Sequence, residues 1–435
     1  MMQLTIQGDT TLDLQTSGYR VADGFTPETP ADGAKYITEA ISIFIAGTSA
    51  SDLRAKLAAL QRLADYATRY GKSLNKKSYL NFSPDSATPW RSRIRTMTVL
   101  HDPVATRRWL SNNARVKIVV EHDPWWEGPL TAVPLSNRNG TATTDPLLVY
   151  LITDSQSGRD GFVDIDGASI EGDLPAPIKF LYKNTYNNVT FTTQNIFLML
   201  NVHSSPSDLN CMLEGEAAVG GGSVLPVSPS YGSYSNGQYI QGSVAVTESR
   251  AMAWILTGET LELIGSNIMQ IAGRFSIGGM WAKLKLSFSL VTIVGETPWV
   301  WITGNNNLES LGVLRLPPYL VTDTGPTANL YLELWTKRPS GAATVSIDYL
   351  QLCPLDSWRN IVHAGYGIPY NDTLEDDQIE DTIHTQLGGY SVAYGGKIEL
   401  HPGRDQRLYI TADGTSYPSR TGTVQIFYRP RRRSL

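Results

Sequence analysis

The residues able to do chemistry are scattered. Six histidines (His101, His122, His203, His363, His384 and His401) show no His-x-x-x-His or His/Cys pairing at metal-ligand spacing. The sequence has no Gly-x-Ser-x-Gly, so the nucleophile elbow of the α/β-hydrolases is missing. The run Glu375-Asp376-Asp377-Gln378-Ile379-Glu380-Asp381 is acidic enough for a cation site, but it lacks the Gly-centred spacing of an EF-hand loop. A solvated loop is the expectation there. Carboxylate pairs that cleave glycosides need a separation of roughly 5 to 10 Å, which only a fold can set. The census predicts no catalysis, no metal and no cofactor.

Binding chemistry is better represented. Sugar sites stack a ring face on Trp or Tyr and fix hydroxyls with Asp, Asn, Arg or Gln. Trp299-Val300-Trp301 puts two indoles on one strand face, and Asn305-Asn306-Asn307 follows as a polar partner. Trp281 and Trp335 are also available. Tyr231 and Tyr234 sit in the Gly/Ser-rich stretch Ser228 to Gly237. The candidate carbohydrate-binding residues are therefore Trp299, Trp301, Asn305, Tyr231 and Tyr234. Each has an ordinary alternative. Two Trp at i and i+2 usually pack a sandwich core, and tyrosines in a Gly/Ser loop suit a segment with no ligand.

The elements that must position these residues are mostly strands. The chain has 435 residues, enough for two or three domains. Charged residues are 18%, while Gly (38), Pro (24) and Tyr (21) are plentiful, a mix that suits β structure with many turns. The net charge is −5, which argues against a general nucleic-acid binder. The basic run Arg429-Pro430-Arg431-Arg432-Arg433 reads as a solvated tail or an interface contact. Cys211 and Cys353 fall at opposite ends of one predicted domain. A bridge is geometrically open to them, and two buried free thiols are the simpler expectation. No run of about 20 apolar residues exists to span a membrane. The start Met1-Met2-Gln3-Leu4-Thr5-Ile6 has no basic region followed by an apolar core, so the expectation is no signal peptide and synthesis in the cytosol.

One helix stands out in the first 130 residues. Leu53, Leu57, Leu60, Leu63 and Ala67 recur at intervals of three and four, with Ser51 as predicted N-cap, Asp52 at the positive end of the dipole and Gly71 as the stop. Strands are predicted at Tyr36 to Ile45, Ser78 to Phe82, Arg91 to Leu100 and Arg115 to Glu121, closing on Asp123-Pro124-Trp125-Trp126. Residues 18 to 30 read as an extended arm that could pair with a neighbour. Residues 131 to 145 read as a linker. Strand-like runs at 147–200 and again after Asp356 are too few on either side alone, so together they predict one β-sandwich split by an insertion, 201–356. Runs at Ala251 to Leu256, Ile268 to Ile277, Met280 to Leu290, Trp299 to Thr303, Leu311 to Leu316, Leu330 to Thr336 and Thr344 to Leu352 make the insertion a second sandwich. The last of these resembles the final strand of jelly-roll binding modules.

This succession of strand, single helix, hairpin and Pro-aromatic closure resembles the distal tail protein family of long-tailed bacteriophages. The resemblance implies a mainly β fold: an N-terminal β-rich domain with one helix over 1–130, a galectin-like β-sandwich over 147–200 and 357–435, and an inserted jelly-roll, carbohydrate-binding-like domain over 201–356. The stretch Leu400-His401-Pro402-Gly403-Arg404 before the last strand pair fits the galectin-like part. It further implies a virion structural protein at the tail tip, made in the host cytoplasm and assembled as a homo-hexameric ring between the tail tube and the tail-tip hub proteins. A host cell-surface glycan is the implied outer partner, with neither nucleic acid nor membrane insertion. A free-standing carbohydrate-binding adhesion protein is the alternative.

Overall fold

The computed structural model describes residues 3–435 apart from 17, 23, 32, 71–72, 75, 84–87, 102–111, 138–139, 152–160, 187–194, 204–211, 220–222, 227–237, 257–267, 316–329, 364–366 and 413–420. The fold is mainly β, built from antiparallel sheets. The chain divides into two compact units. Unit 1 is Met1–Thr131 with Glu171–Ala176 and Arg429–Leu435, and unit 2 is Ala132–Ile170 with Pro177–Tyr428.

Unit 1 holds β1 (Gln3–Gln7), β2 (Thr11–Asp13), β3 (Tyr19–Val21), β4 (Ile37–Ala46), β5 (Ser78–Ser83), β6 (Trp90–His101), β7 (Asn113–His122) and β8 (Trp126–Glu127). Seven of them lie in the order β2-β1-β5-β6-β7-β4-β3, and β8 bridges β6 to the short strand Arg431–Arg432. β4 shows why: Ile41, Ile43 and Ile45 are buried and alternate with more exposed Thr38, Ala40 and Phe44, the period of a strand with one covered face. The cover is helix α1 (Ala50–Asp65), whose Leu60 and Ala64 join the core with Ile118, Val120 and Met97. Each such buried leucine is worth about 1.5–3 kcal/mol of transfer free energy.

The N-cap is Ser49, not Ser51: Ser49 has extended φ/ψ, and its Oγ accepts from the Asp52 amide at 3.1 Å. Ser51 lies two residues further on and is already helical. The helix continues into a π-helical turn, Tyr66–Tyr70, where the Thr68 hydroxyl meets both the Met97 amide and carbonyl at 3.0 Å. The predicted stop, Gly71, lies outside the described residues. The arm is also corrected at its start. Tyr19–Val21 pairs with Ile43–Ile45 of its own chain, because Tyr19 and Val21 have apolar side chains to bury there.

In unit 2 one sheet runs Leu147–Tyr150, Thr421–Tyr428, Ala176–Asn184, Thr373–Asp377, Thr382–Thr385, and another runs Phe162–Ile165, Asp405–Ala412, Asn195–His203, Trp358–His363, Ser391–Gly395. Both draw strands from each side of residues 212–354. Those residues make a further sheet in the order Ser223–Pro226, Gln238–Val244, Ala343–Pro354, Ile268–Phe288, Leu330–Lys337, Ser249–Leu256, with Val300–Arg315 and Thr292–Glu296 also on Ile268–Phe288. Phe162, Phe197, Met199 and Tyr409 from the first group of strands share a buried cluster with Ala272, Leu308 and Tyr349 from the last.

Three expectations fail here for identifiable reasons. The predicted linker contains buried Val133 and Leu135, and Leu135 exchanges backbone hydrogen bonds with Thr143. The predicted breaks near 278 and 304 are bulges within two long strands. Gly279 and Gly304 take positive φ (77° and 76°), and a Cβ on Gly278 would sit 2.2 Å from the Thr303 carbonyl. The acidic run is not solvated: Asp376 is fully buried, held by the Arg359 guanidinium at 2.6 and 2.7 Å, with Gln378 also donating to it at 2.8 Å. Cys211 lies outside the described residues, and the Cys353 side chain does too.

Candidate functional site

Register across three strands of the 212–354 sheet builds a face of alternating tryptophan and lysine. From Met280 onward the strand alternates: Met280, Ala282, Leu284 and Leu286 enter the core, while Trp281, Lys283 and Lys285 take the other face. Trp281 stands opposite Trp301 on one side and Lys337 on the other. In the next row Lys283 stands opposite Trp335, and in the third Lys285 stands opposite Glu333 and Glu296. Val300 packs against the core, so Trp299 and Trp301, its neighbours, are turned away from it. Trp281 and Trp301 remain 38% and 40% exposed, with ring centroids 5.3 Å apart in an edge-to-face arrangement.

The cations sit on the rings. Lys283 and Lys337 place Nζ 4.8 and 4.2 Å from the Trp299 centroid, and Lys285 lies 3.6 Å from that of Trp335. The carboxylates bonded to these lysines gather at one end. Lys283 Nζ donates to Glu296 at 3.0 Å and lies 3.2 Å from Glu248, and Lys285 Nζ donates to Glu248 at 2.8 Å. Burial alone depresses the Lys283 ammonium, but bonds to Glu296 and Glu248 outweigh it and hold the group above its ordinary value. The hydrogen bond from Lys285 likewise holds the Glu248 carboxyl below the usual range. At the other end, Lys337 and Arg338 make no ion pair among the described residues; Arg338 Nε donates to the Gly279 carbonyl at 3.1 Å.

Of the residues singled out in the sequence, the structure places Trp299 and Trp301 on this face. Asn305 follows in the strand Val300–Arg315, with its side chain outside the described residues, and Tyr231 and Tyr234 lie outside them altogether. Lys283, Lys285 and Lys337 were missed. The signal was the period-2 pattern Trp281-x-Lys283-x-Lys285, matched by Trp335-x-Lys337.

Two polar groupings of unit 1 are internal. Ser92 Oγ and His122 Nδ1 are 2.8 Å apart, and His122 Nε2 lies 3.4 Å from Glu39, with all three side chains buried. Glu39 also accepts from the Glu28 amide at 3.0 Å, and the Ser92 hydroxyl donates to the Asp123 carbonyl at 3.0 Å. With Ser92 fully buried, the grouping fastens strands β4, β6 and β7 together and presents no seryl oxygen to a substrate. The second grouping corrects the expected basic tail. Arg431 contacts Glu127 at 3.1 Å, Arg91 contacts the same carboxylate at 3.3 Å, and Arg429 donates to the Gly128 carbonyl at 2.8 Å. Glu127 supplies the acceptor geometry that draws a guanidinium out of solvent.

No protein-family model matches this chain, and no curated protein does either. Solved structures to which it is similar include a protein of the phage P2 baseplate in its activated conformation with Ca, at 8% identity over 46% of this chain and 72% of that one, with a TM-score of 0.27. Another, from the phage p2 baseplate with Sr, shows 9% identity over 81% of this chain and 98% of that one, with a TM-score of 0.22. A chain of the infectious bursal disease virus Gx strain shows 11% identity over 71% and 81%, with a TM-score of 0.17. TM-scores this low carry no argument about fold or role, so the chain's own surfaces must supply one.

Proposed function

We propose that this chain is a structural, non-enzymatic component of a phage tail tip, repeated as a ring through unit 1, with the tryptophan–lysine face of residues 212–354 offered to host glycan. The observation that carries the reading is the second face of the unit 1 sheet. α1 covers one face. On the other, Phe44 and Leu100 remain 47% and 48% exposed, and register sets Ala40, Val119 and Thr98 side by side between them and Glu121. A face of small and apolar side chains, with Arg115 and Lys117 among them, suits burial against a further copy of the chain. The sequence resemblance to distal tail proteins points the same way and adds tail tube and hub proteins as neighbours.

In this reading the strands on either side of 212–354 form a galectin-like sandwich and 212–354 an inserted binding module. The supporting fact is that both flanking sheets draw strands from before and after it.

Native mass measurement tests the proposal. A ring of about six chains of 47.8 kDa is expected, and Phe44→Glu should shift it to single chains. A chain that stays monomeric at high concentration, and antibodies that decorate no virion extremity, would overturn it. The free-standing adhesion protein is the second reading, favoured by the exposed Trp281 and Trp301. A monomer that still binds glycan would select it.

A further inference from the structure

Charge is distributed unevenly over the tryptophan–lysine face. The three carboxylates Glu248, Glu296 and Glu333 all sit at the Lys285 end, where Glu248 and Glu296 pair with Lys283 and Lys285 and Glu333 lies 3.7 Å from Arg250. Both exposed indoles sit at the opposite end, beside Lys337 and Arg338. The nearest carboxylate to Trp301 along its own strand, Glu309, already accepts from the Thr303 and Gly304 amides at 2.9 and 3.3 Å. The exposed aromatic platform thus carries two cations, Lys337 and Arg338, against the one carboxylate of Glu309, and is net cationic among the described residues within a chain of net charge −5.

Resting on the glycan reading above, we infer that the ligand of this face is an acidic polysaccharide, with a sugar ring over the Trp281–Trp301 pair and its carboxylate or phosphate group on Lys337.

Geometry and charge both support that occupant. Directly opposed side chains on neighbouring strands stand about 4.5–5.5 Å apart at Cβ, so a ring seated on Trp281 brings an exocyclic acid within reach of Lys337. Among the described residues Lys337 Nζ rests on the Trp299 ring and not on a carboxylate, so engaging an anion costs no ion pair seen there. A neutral sugar would stack equally well but leave this cation unused. A nucleic acid would need a longer cationic track than one end of a sheet face provides.

Titration of the full chain with polygalacturonate, its methyl ester, poly(glycerol phosphate) and oligo(dT) at low ionic strength decides the matter. Binding to polygalacturonate should exceed binding to the ester by about tenfold, the effect of one charge-assisted hydrogen bond. Lys337→Gln should abolish that preference while leaving binding to the ester unchanged, and Trp301→Ala should weaken both. Tighter binding of poly(glycerol phosphate), which has no ring to stack, than of polygalacturonate would overturn the inference by leaving an anion site without a sugar platform. Equal binding of acid and ester overturns the inference and leaves the glycan reading standing. Binding of none of the polymers overturns both. Oligo(dT) bound as tightly as polygalacturonate overturns the assignment to sugar.

Discussion

In unit 1, Arg431 lies 4.6 Å over the Trp125 ring and Arg432 lies 4.7 Å over Trp90, while Arg431 and Arg91 together grip Glu127. In unit 2, lysines lie at similar distances over Trp299 and Trp335, yet Trp281 and Trp301 beside them stay exposed. The side-chain types are nearly the same and the outcomes differ. Arginine's planar fork meets several acceptors at once, so its cluster closes on itself. A lysine is a single point charge: capped on a ring, it leaves the neighbouring surface open. What separates an internal fastening from a binding face is the charge left unmatched and the ring left uncovered.

The two clusters should differ most when one indole is removed from each. Trp126, fully buried beside the Glu127 cluster, should cost about 3–5 kcal/mol on change to alanine, read as a fall in the urea midpoint of unit 1. Glu127→Ala comes next. It takes the shared carboxylate from two guanidinium groups whose side chains are 15% and 14% exposed, and a loss of about 3 kcal/mol is expected. If that variant unfolds like the parent chain, the arginine cluster does not hold the unit together.

A smaller effect is expected from Glu248. Its carboxyl is held below the ordinary value of 4.5, so its contribution is complete above that pH and disappears as pH falls through the lower, folded-state value. Acid titration of Glu248→Gln beside the parent should show the stability gap between them closing at low pH. Smallest of all is Trp301→Ala, which should change stability by no more than about 0.5 kcal/mol while weakening the proposed glycan binding. A large stability loss there would make Trp301 a packing residue and erase the contrast.

The sequence made some of this visible. The helix and the strands of unit 1 were legible because each has one buried face, so periods of 3.6 and 2 survive in Leu53 to Ala67 and Ile37 to Ile45. Ser49 was misread as Ser51 because the choice between neighbouring serines rests on backbone dihedrals. The bulged strands were hidden because Gly278-Gly279 and Gly304 read as breaks when their role is to let two backbones approach. Trp299 and Trp301 could be named, but whether they faced core or solvent depended on Val300. The partners of Glu127 and Asp376 could not be foreseen, since Arg431 and Arg359 come from distant strands.

Arg431 follows Glu127 by 304 residues. At synthesis rates of 5–20 residues per second, roughly 15 to 60 s pass between the two leaving the ribosome. Throughout that interval the nascent β-sheet has its carboxylate but lacks the second guanidinium and the strand that carries it. Unit 1 therefore lacks its full Glu127 cluster until Arg431 has been made, and any contact it forms before then is formed by an incomplete module.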